Sequence, residues 1–165
     1  MSLHEIKLDE LNFNPWDKIG NQWFLLTSGD ENSFNTMTAS WGFMGFMWRR
    51  STFNAVVRPN RYTFEFMEKN DLFTASFFDE KYRSALSFCG SHSGRDCDKM
   101  KETGLTPVFL DGTTAFEEAE LVIVCRKIYA QDMDISMLAE DVKPVNGSDP
   151  IHKQYIGEIL KVYSK

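Results

Sequence analysis

The sequence predicts a mainly β fold: a closed or nearly closed β-barrel of mostly antiparallel strands that carries a few short helices. Three observations lead there. Short apolar, aromatic and β-branched runs recur along the chain, separated by Gly, Asn and Asp turn signals. Stretches of helical character are brief and bounded by capping residues or glycines. Ala119 to Tyr129 is one long β-branched run, the strongest strand in the chain.

Taken in order, Phe13 to Gly20 carries Pro15 and Gly20 and reads as a lead-in. Trp23 to Ser28 and Phe34 to Trp41 read as strands joined by the turn Gly29 to Ser33. Phe43 to Trp48 and Thr52 to Arg58 are further strands, and Pro59 forces Arg58 towards an extended conformation. Asn60 is placed to cap a short helix from Arg61 to Lys69, with Asn70 as its terminator. Phe73 to Phe78 is a short strand, and Asp79 opens a helix from Glu80 to Phe88 that stops near Gly90. A second short helix starts at Arg95 or Asp96 and ends before Gly104. Met133 to Pro150 reads mostly as loop, with turns at Lys143-Pro144 and Gly147 to Pro150, before a last strand from Tyr155 to Val162.

With 165 residues, 42% hydrophobic and 25% charged, the chain reads as one globular domain spanning residues 1–165. An aromatic share of 14%, including 14 Phe and 4 Trp, points to an aromatic core or subunit interface. The net charge of −6 argues against a nucleic-acid-binding face. The cations that do cluster, Arg58 with Arg61 and Arg95 with Lys99, suit a small anion, whereas Arg49-Arg50 reads as solvated loop. Cys89, Cys97 and Cys125 lack CxxC spacing and the three histidines are scattered, so no zinc framework or other metal site is read. The first residues lack a signal-peptide core, and no apolar run approaches the roughly 18 residues of a membrane span. A cytoplasmic location with reduced thiols follows as the expectation.

Cys89 to Lys99, CGSHSGRDCDK, is the most informative stretch. Gly90 and Gly94 free the backbone to bend, while Ser91 and Ser93 can cap a helix start. Arg95 and Lys99 fall one turn apart if a helix begins near Arg95, and together with a helix N-terminus they make a seat for a phosphate. An ordinary Gly/Ser loop before a solvated helix is the alternative on local grounds. Asn35 to Gly42, NTMTASWG, is the second such stretch. Its alternation of hydroxyls with Met37, Ala39 and Trp41 suits a strand with two different faces. Small residues there would let a flat ring approach the backbone; close packing against another element is the competing explanation.

These two stretches occur in order with Arg58-Pro59-Asn60-Arg61-Tyr62-Thr63, Phe73 to Phe78 and Tyr155-Ile156-Gly157-Glu158-Ile159. In that combination the chain, from about Phe13 to Val162, resembles the flavin reductase-like proteins with an FMN-binding split β-barrel, flavoredoxins among them. The resemblance implies FMN as cofactor, NAD(P)H as electron donor, a homodimer, and a small-molecule or protein electron acceptor. A flavoredoxin-like electron carrier with tightly bound FMN and a protein partner is the alternative it leaves open. It places Asn35, Met37, Thr38, Ala39, Ser40 and Trp41 along the ring and ribityl chain. Arg58, Arg61 and Thr63 on one side, and Gly90, Ser93, Gly94, Arg95 and Lys99 on the other, become candidates for the phosphate. Ser76, Phe77 and Phe78 would border the ring, Cys89 could face it, and His152 would lie near the flavin or nicotinamide as a candidate catalytic residue. The chain has neither GxGxxG nor GxxxxGK, which removes a Rossmann or P-loop site without excluding NAD(P)H use.

Overall fold

Strand-forming runs and short turns assemble here into one large antiparallel sheet. The computed structural model describes residues 2–143 and 150–165. Among these, β1 (His4–Ile6), β2 (Phe24–Gly29), β3 (Phe34–Ala39), β4 (Gly42–Met47) and β5 (Arg50–Val57) precede α1 (Tyr62–Lys69). Then come β6 (Leu72–Phe77), α2 (Arg83–Ser91), α3 (Lys99–Thr103), β7 (Pro107–Leu110), β8 (Thr113–Phe116), β9 (Leu121–Asp132) and β10 (Lys153–Ser164). The sheet runs β3-β2-β6-β9-β10-β5-β4, with β1 added to β10 and β7-β8 as a separate hairpin. All of these pairings are antiparallel. Among the described residues no ladder joins β3 to β4, so the barrel-like sheet stays open along that seam. The mainly β expectation holds, in its nearly closed form. None of the helices described is long and apolar enough to cross a membrane.

β10 shows how one strand serves three neighbours. Its first half, Lys153 to Glu158, pairs with β5, and Val162 to Ser164 pairs with β1. Its ladder to β9 shifts register at Ile156/Gly157 and again at Ile159/Lys161. Such irregularities bend and twist a strand. Gly157 is required at the first of them, because a Cβ there would lie 2.5 Å from Phe73 Cζ and 2.8 Å from Cys125 Cβ.

The core has two parts. Phe24, Phe53, Phe73, Phe77, Val57, Ile123 and Tyr155 pack together on one face of the sheet. Phe24 meets Phe53 edge-on at 5.4 Å and lies tilted against Phe77 at 5.3 Å. Leu25, Val122 and Val124 face the other way, under α2 and the β7-β8 hairpin, with Phe78, Leu86, Cys89 and Phe116. Many of the phenylalanines are therefore core residues.

Helix boundaries depart from the sequence reading for local reasons. α1 has Arg61 at its N-cap with no side-chain cap, so Asn60 does not perform that task. Asp79 caps a 3-10 turn, Glu80–Tyr82, and the α-helix follows from Arg83 through Gly90 to Ser91. Residues 93–96 form a tight turn, with Asp96 N–H donating to Ser93 O at 3.1 Å. α3 starts only at Lys99, because Asp98 Oδ1 accepts from the N–H groups of Met100 and Lys101. Arg95 and Lys99 are thus not neighbours on one helix. The β7-β8 hairpin was not expected, although its turn carries the Asp111-Gly112 signal with both residues at positive φ. The turns expected around Pro144 and Gly147 fall across residues 144–149, outside those described. Arg49 sits at the tip of the β4-β5 hairpin, and Arg50 pairs with Glu158 at 2.5 Å.

Candidate functional site

Helices α1 and α2 pack against β3, the strand at one end of the sheet path, and two hollows open there. The first, about 240 Å³, lies between Asn35 and Met37 of β3, residues 60–63 at the start of α1, Ser91 to Ser93, and Lys99 with Asp96. The second, about 220 Å³, is lined by residues 37–41, Val56, Arg58 and His152. Met37 is common to both.

The first hollow is built to receive negative charge. Lys99 is buried, and its ammonium donates to Thr36 O at 2.7 Å and Cys89 O at 2.9 Å. Arg61 Nη2 donates to Gly90 O at 3.0 Å. Burial, with Arg61 as a like charge nearby, holds the Lys99 ammonium below its ordinary range. Burial and the Arg58 charge likewise lower Arg61, which at such a high starting value stays protonated. Two cations that disfavour each other's charge gain from an anion between them. The start of α1 adds its partial positive charge, with no side chain capping it. Hydroxyls of Thr63, Ser91 and Ser93 complete the lining, and Asp96 is also present.

Close packing sets these groups in place. Asn35 Nδ2 donates to Thr63 Oγ1 at 2.8 Å, tying β3 to the first turn of α1. A Cβ on Gly94 would stand 2.1 Å from Asn35 Oδ1, so only glycine brings this loop so near to β3. Gly90 lies against Thr38, where a Cβ would be 3.2 Å from the threonine Cβ. The Thr38 hydroxyl donates to Leu86 O, binding α2 to the strand.

The structure brings most of the sequence candidates together. Asn35, Met37, Arg61, Thr63, Ser93 and Lys99 line the first hollow, and Met37, Thr38, Ala39, Ser40, Trp41, Arg58 and His152 the second. Gly90 and Gly94 act through the contacts just described. The rest are placed elsewhere. Arg95 pairs with Glu65 on the surface and lies over the Tyr62 ring at 4.7 Å. Phe77 is in the aromatic core, Phe78 packs near Phe116, and Ser76 is fully buried in β6. Cys89 is on the buried face of α2, its thiol pushed up to about 11 by burial. Sequence reasoning missed Val56, which carries no signal, and His92, which sits within the glycine-serine run and stacks on Phe88 at 3.9 Å. A wider cleft of about 430 Å³ lies beyond Asn35 and Lys99, but Glu31 and Asp98 line it and suit an anion poorly.

Solved structures with the same fold share a theme. The flavoredoxin of Desulfovibrio vulgaris (Miyazaki F) is similar at a TM-score of 0.69 and 24% identity, over 87% of this chain and 69% of that one. An FMN-binding protein from Thermus thermophilus with bound 1-cyclohex-2-enone matches at a TM-score of 0.69 and 20% identity, over 86% and 69% of the two chains. An NADH:FAD oxidoreductase of Streptomyces globisporus C-1027 matches at 0.66 and 14%, over 87% and 75%. No curated protein sequence matches the chain. The family model described as flavin reductase like domain matches residues 16–165, nearly the whole length. On that match, the chain belongs to the flavin reductase-like family, whose FMN-binding split barrel its sheet reproduces.

Proposed function

We propose that this chain binds FMN and works as a flavin-dependent oxidoreductase, taking a hydride from NAD(P)H and passing electrons to a small-molecule or protein acceptor. One observation carries the reading: Arg61, Lys99 and the uncapped start of α1 converge on a hollow that adjoins the small-residue end of β3. The residues fit the cofactor. Arg61, Lys99, Thr63, Ser91 and Ser93 would hold its phosphate, a dianion that charge-assisted hydrogen bonds recognise. Residues 37–41 would flank the ribityl chain and ring, with Ala39 and Ser40 small enough for a flat ring to lie close to the backbone. The two hollows together reach the roughly 300–1,000 Å³ of small-molecule sites. Bound FMN would supply the two-electron redox chemistry. The chain neutralises the phosphate, orients the ring and shields it with Trp41 and His152, whose rings lie 4.9 Å apart.

Family membership and the redox proteins that share the fold support this reading. A homodimer belongs to the proposal, since Phe43, Phe46, Met47 and Trp48 stand exposed on the β4-β5 hairpin. So does a cytoplasmic location, with which the free thiols of Cys89, Cys97 and Cys125 agree.

The test is direct. Purified protein takes up FMN, and anaerobic NADH or NADPH then bleaches the flavin band. Failure to bind FMN at high excess defeats the reading. Tight FMN that a protein donor reduces, while NAD(P)H acts slowly, turns it towards the flavoredoxin-like carrier.

A further inference from the structure

Three hollows lie in series along β3 and the helices packed on it. The ring-side hollow shares Met37 with the phosphate seat, and the seat shares Asn35, Tyr62 and Lys99 with the wider cleft beyond. A ligand laid along this line with one phosphate in the seat would carry any further group into that cleft. Phe34, Tyr62 and Phe66 stand among its walls, and its volume of about 430 Å³ is within the range of small-molecule sites. Room and aromatic surface would therefore admit a nucleoside there.

Charge opposes it. Of the charged side chains lining the cleft, Lys99 is buried and bound to Thr36 O and Cys89 O, while Glu31 and Asp98 are exposed carboxylates. Both acids sit on ordered backbone. Asp98 Oδ1 accepts from the N–H groups that open α3, and Glu31 belongs to the β2-β3 turn that Asp30 Oδ1 closes through Asn32 and Ser33 N–H. Arg95, whose guanidinium lies over the Tyr62 ring, is paired with Glu65.

These charges treat two flavin nucleotides differently. FMN ends in a phosphate monoester, close to a dianion at neutral pH, and all of that charge falls in the seat beside Arg61 and Lys99. FAD divides the same total charge between two linked phosphates. Its first phosphate brings the seat half as much, and its second enters the cleft against Glu31 and Asp98. Like charges brought together in this way disfavour the wrong ligand.

We infer that Glu31 and Asp98 make this chain selective for FMN over FAD, through repulsion of the second phosphate and not through lack of room. This selectivity presupposes the flavin reading above and narrows it to the mononucleotide. Asp96 lines the seat itself and bears on both flavins, so it does not discriminate between them in the same way.

The experiment titrates the full-length chain with riboflavin, FMN and FAD by calorimetry at one fixed pH. FMN is expected to bind at least about tenfold tighter than FAD. Glu31→Gln with Asp98→Asn keeps the side-chain sizes, and asparagine still caps the start of α3. That double variant should tighten FAD by about three- to tenfold and leave FMN within about twofold, as suits exposed charges. Raising salt from about 0.05 to about 0.5 M should narrow the FMN-to-FAD ratio in the wild type more than in the double variant, since exposed charges are screened most. Glu31→Lys, at an exposed turn position, should also tighten FAD and serves if the double variant fails to fold. FAD bound as tightly as FMN by the wild type, or an unchanged ratio in both variants, overturns the inference while the flavin reading stands. FMN bound no tighter than riboflavin removes the phosphate seat, and the two fall together.

Discussion

Lys99 and Arg95 show how far a single residue can be read from its neighbours in sequence. Both are cations in one short run, yet Glu65, thirty positions away, claims Arg95, while the carbonyls of Thr36 and Cys89 draw Lys99 inward. Only Lys99 lines the hollow. Lys99→Met should therefore weaken FMN on the order of ten- to a hundredfold, the equivalent of about 1.5–3 kcal/mol for a charge-assisted bond. Arg95→Ala should leave it within about twofold, as suits an exposed ion pair. Equilibrium titration by flavin fluorescence measures both, and equal losses would relocate the seat. The lowered Lys99 also sets a pH dependence. Its folded value lies below the ordinary lysine value of about 10.4, and a bound anion favours the charged form. FMN affinity should then fall as pH rises through a window that opens below about 10.4, and that dependence should flatten in Lys99→Met. Free protein has the opposite trend. The unfolded chain holds the Lys99 proton more firmly, so this group adds stability as pH rises through the same window. At Gly94 the constraint is steric. Gly94→Ala puts a methyl where Asn35 Oδ1 stands, and overpacking of that kind costs about 1–3 kcal/mol. Calorimetry should show a melting point several degrees lower, together with weaker FMN.

Elements were legible in sequence wherever local chemistry decides them. β9 reads from its β-branched run, and the β2-β3 turn from its Gly-Asp-Glu-Asn-Ser series, in which Asp30 Oδ1 accepts from Asn32 N–H at 2.9 Å. What sequence did not show is decided by contacts between distant segments. Arg95 and Asp96 do not enter α3, because Asp98 supplies a stronger cap and Gly94 holds the preceding turn against β3. Phe77 and Ser76 looked like ring-bordering residues because they end a strand. β6 is an interior strand between β2 and β9, so both are buried. Arg61 and Lys99, which line the first hollow, stood out because clustered cations carry their own signal, whereas Val56 looks like any core valine. β10 yields a test at this scale. Gly157 makes room for the Phe73 ring at a register shift. Gly157→Ala should destabilise the protein by about 1–3 kcal/mol. Phe73→Leu should recover part of that loss in the double variant even though it creates a cavity alone. Denaturant unfolding of the four proteins in a double-mutant cycle measures the coupling, and simple additivity would show that the ring and the glycine do not compete for the same space.

At the scale of the molecule, the β4-β5 hairpin presents an apolar surface without cover among the described residues. Phe46 is 76% exposed and Trp48 53%, and Phe43 and Met47 stand beside them on the β4-β5 hairpin. Both residues of the hairpin turn, Trp48 and Arg49, adopt positive φ at 53° and 58°. Asn and Gly take those angles with little strain, so a tryptophan there gives up stability for what its side chain does. The Trp48 ring lies 5.7 Å from Tyr129, itself exposed on β9, which extends the apolar strip across the sheet. Water-facing aromatics in such density support the proposed dimer interface. β4 is also an end of the sheet path, next to the seam where Ser40 and Trp41 line the second hollow. A second copy docked there would therefore cover the strip and stand near the ring-binding end of the site. Phe46→Lys with Trp48→Lys should shift sedimentation from two chains to one at micromolar concentration. The melting point of the free chain should hold, because neither side chain belongs to the core and the turn loses no favourable residue. Weaker FMN in that monomer would show that the partner helps close the site; unchanged FMN would confine its role to covering the hairpin. A wild type that sediments as one chain would refute the dimer outright.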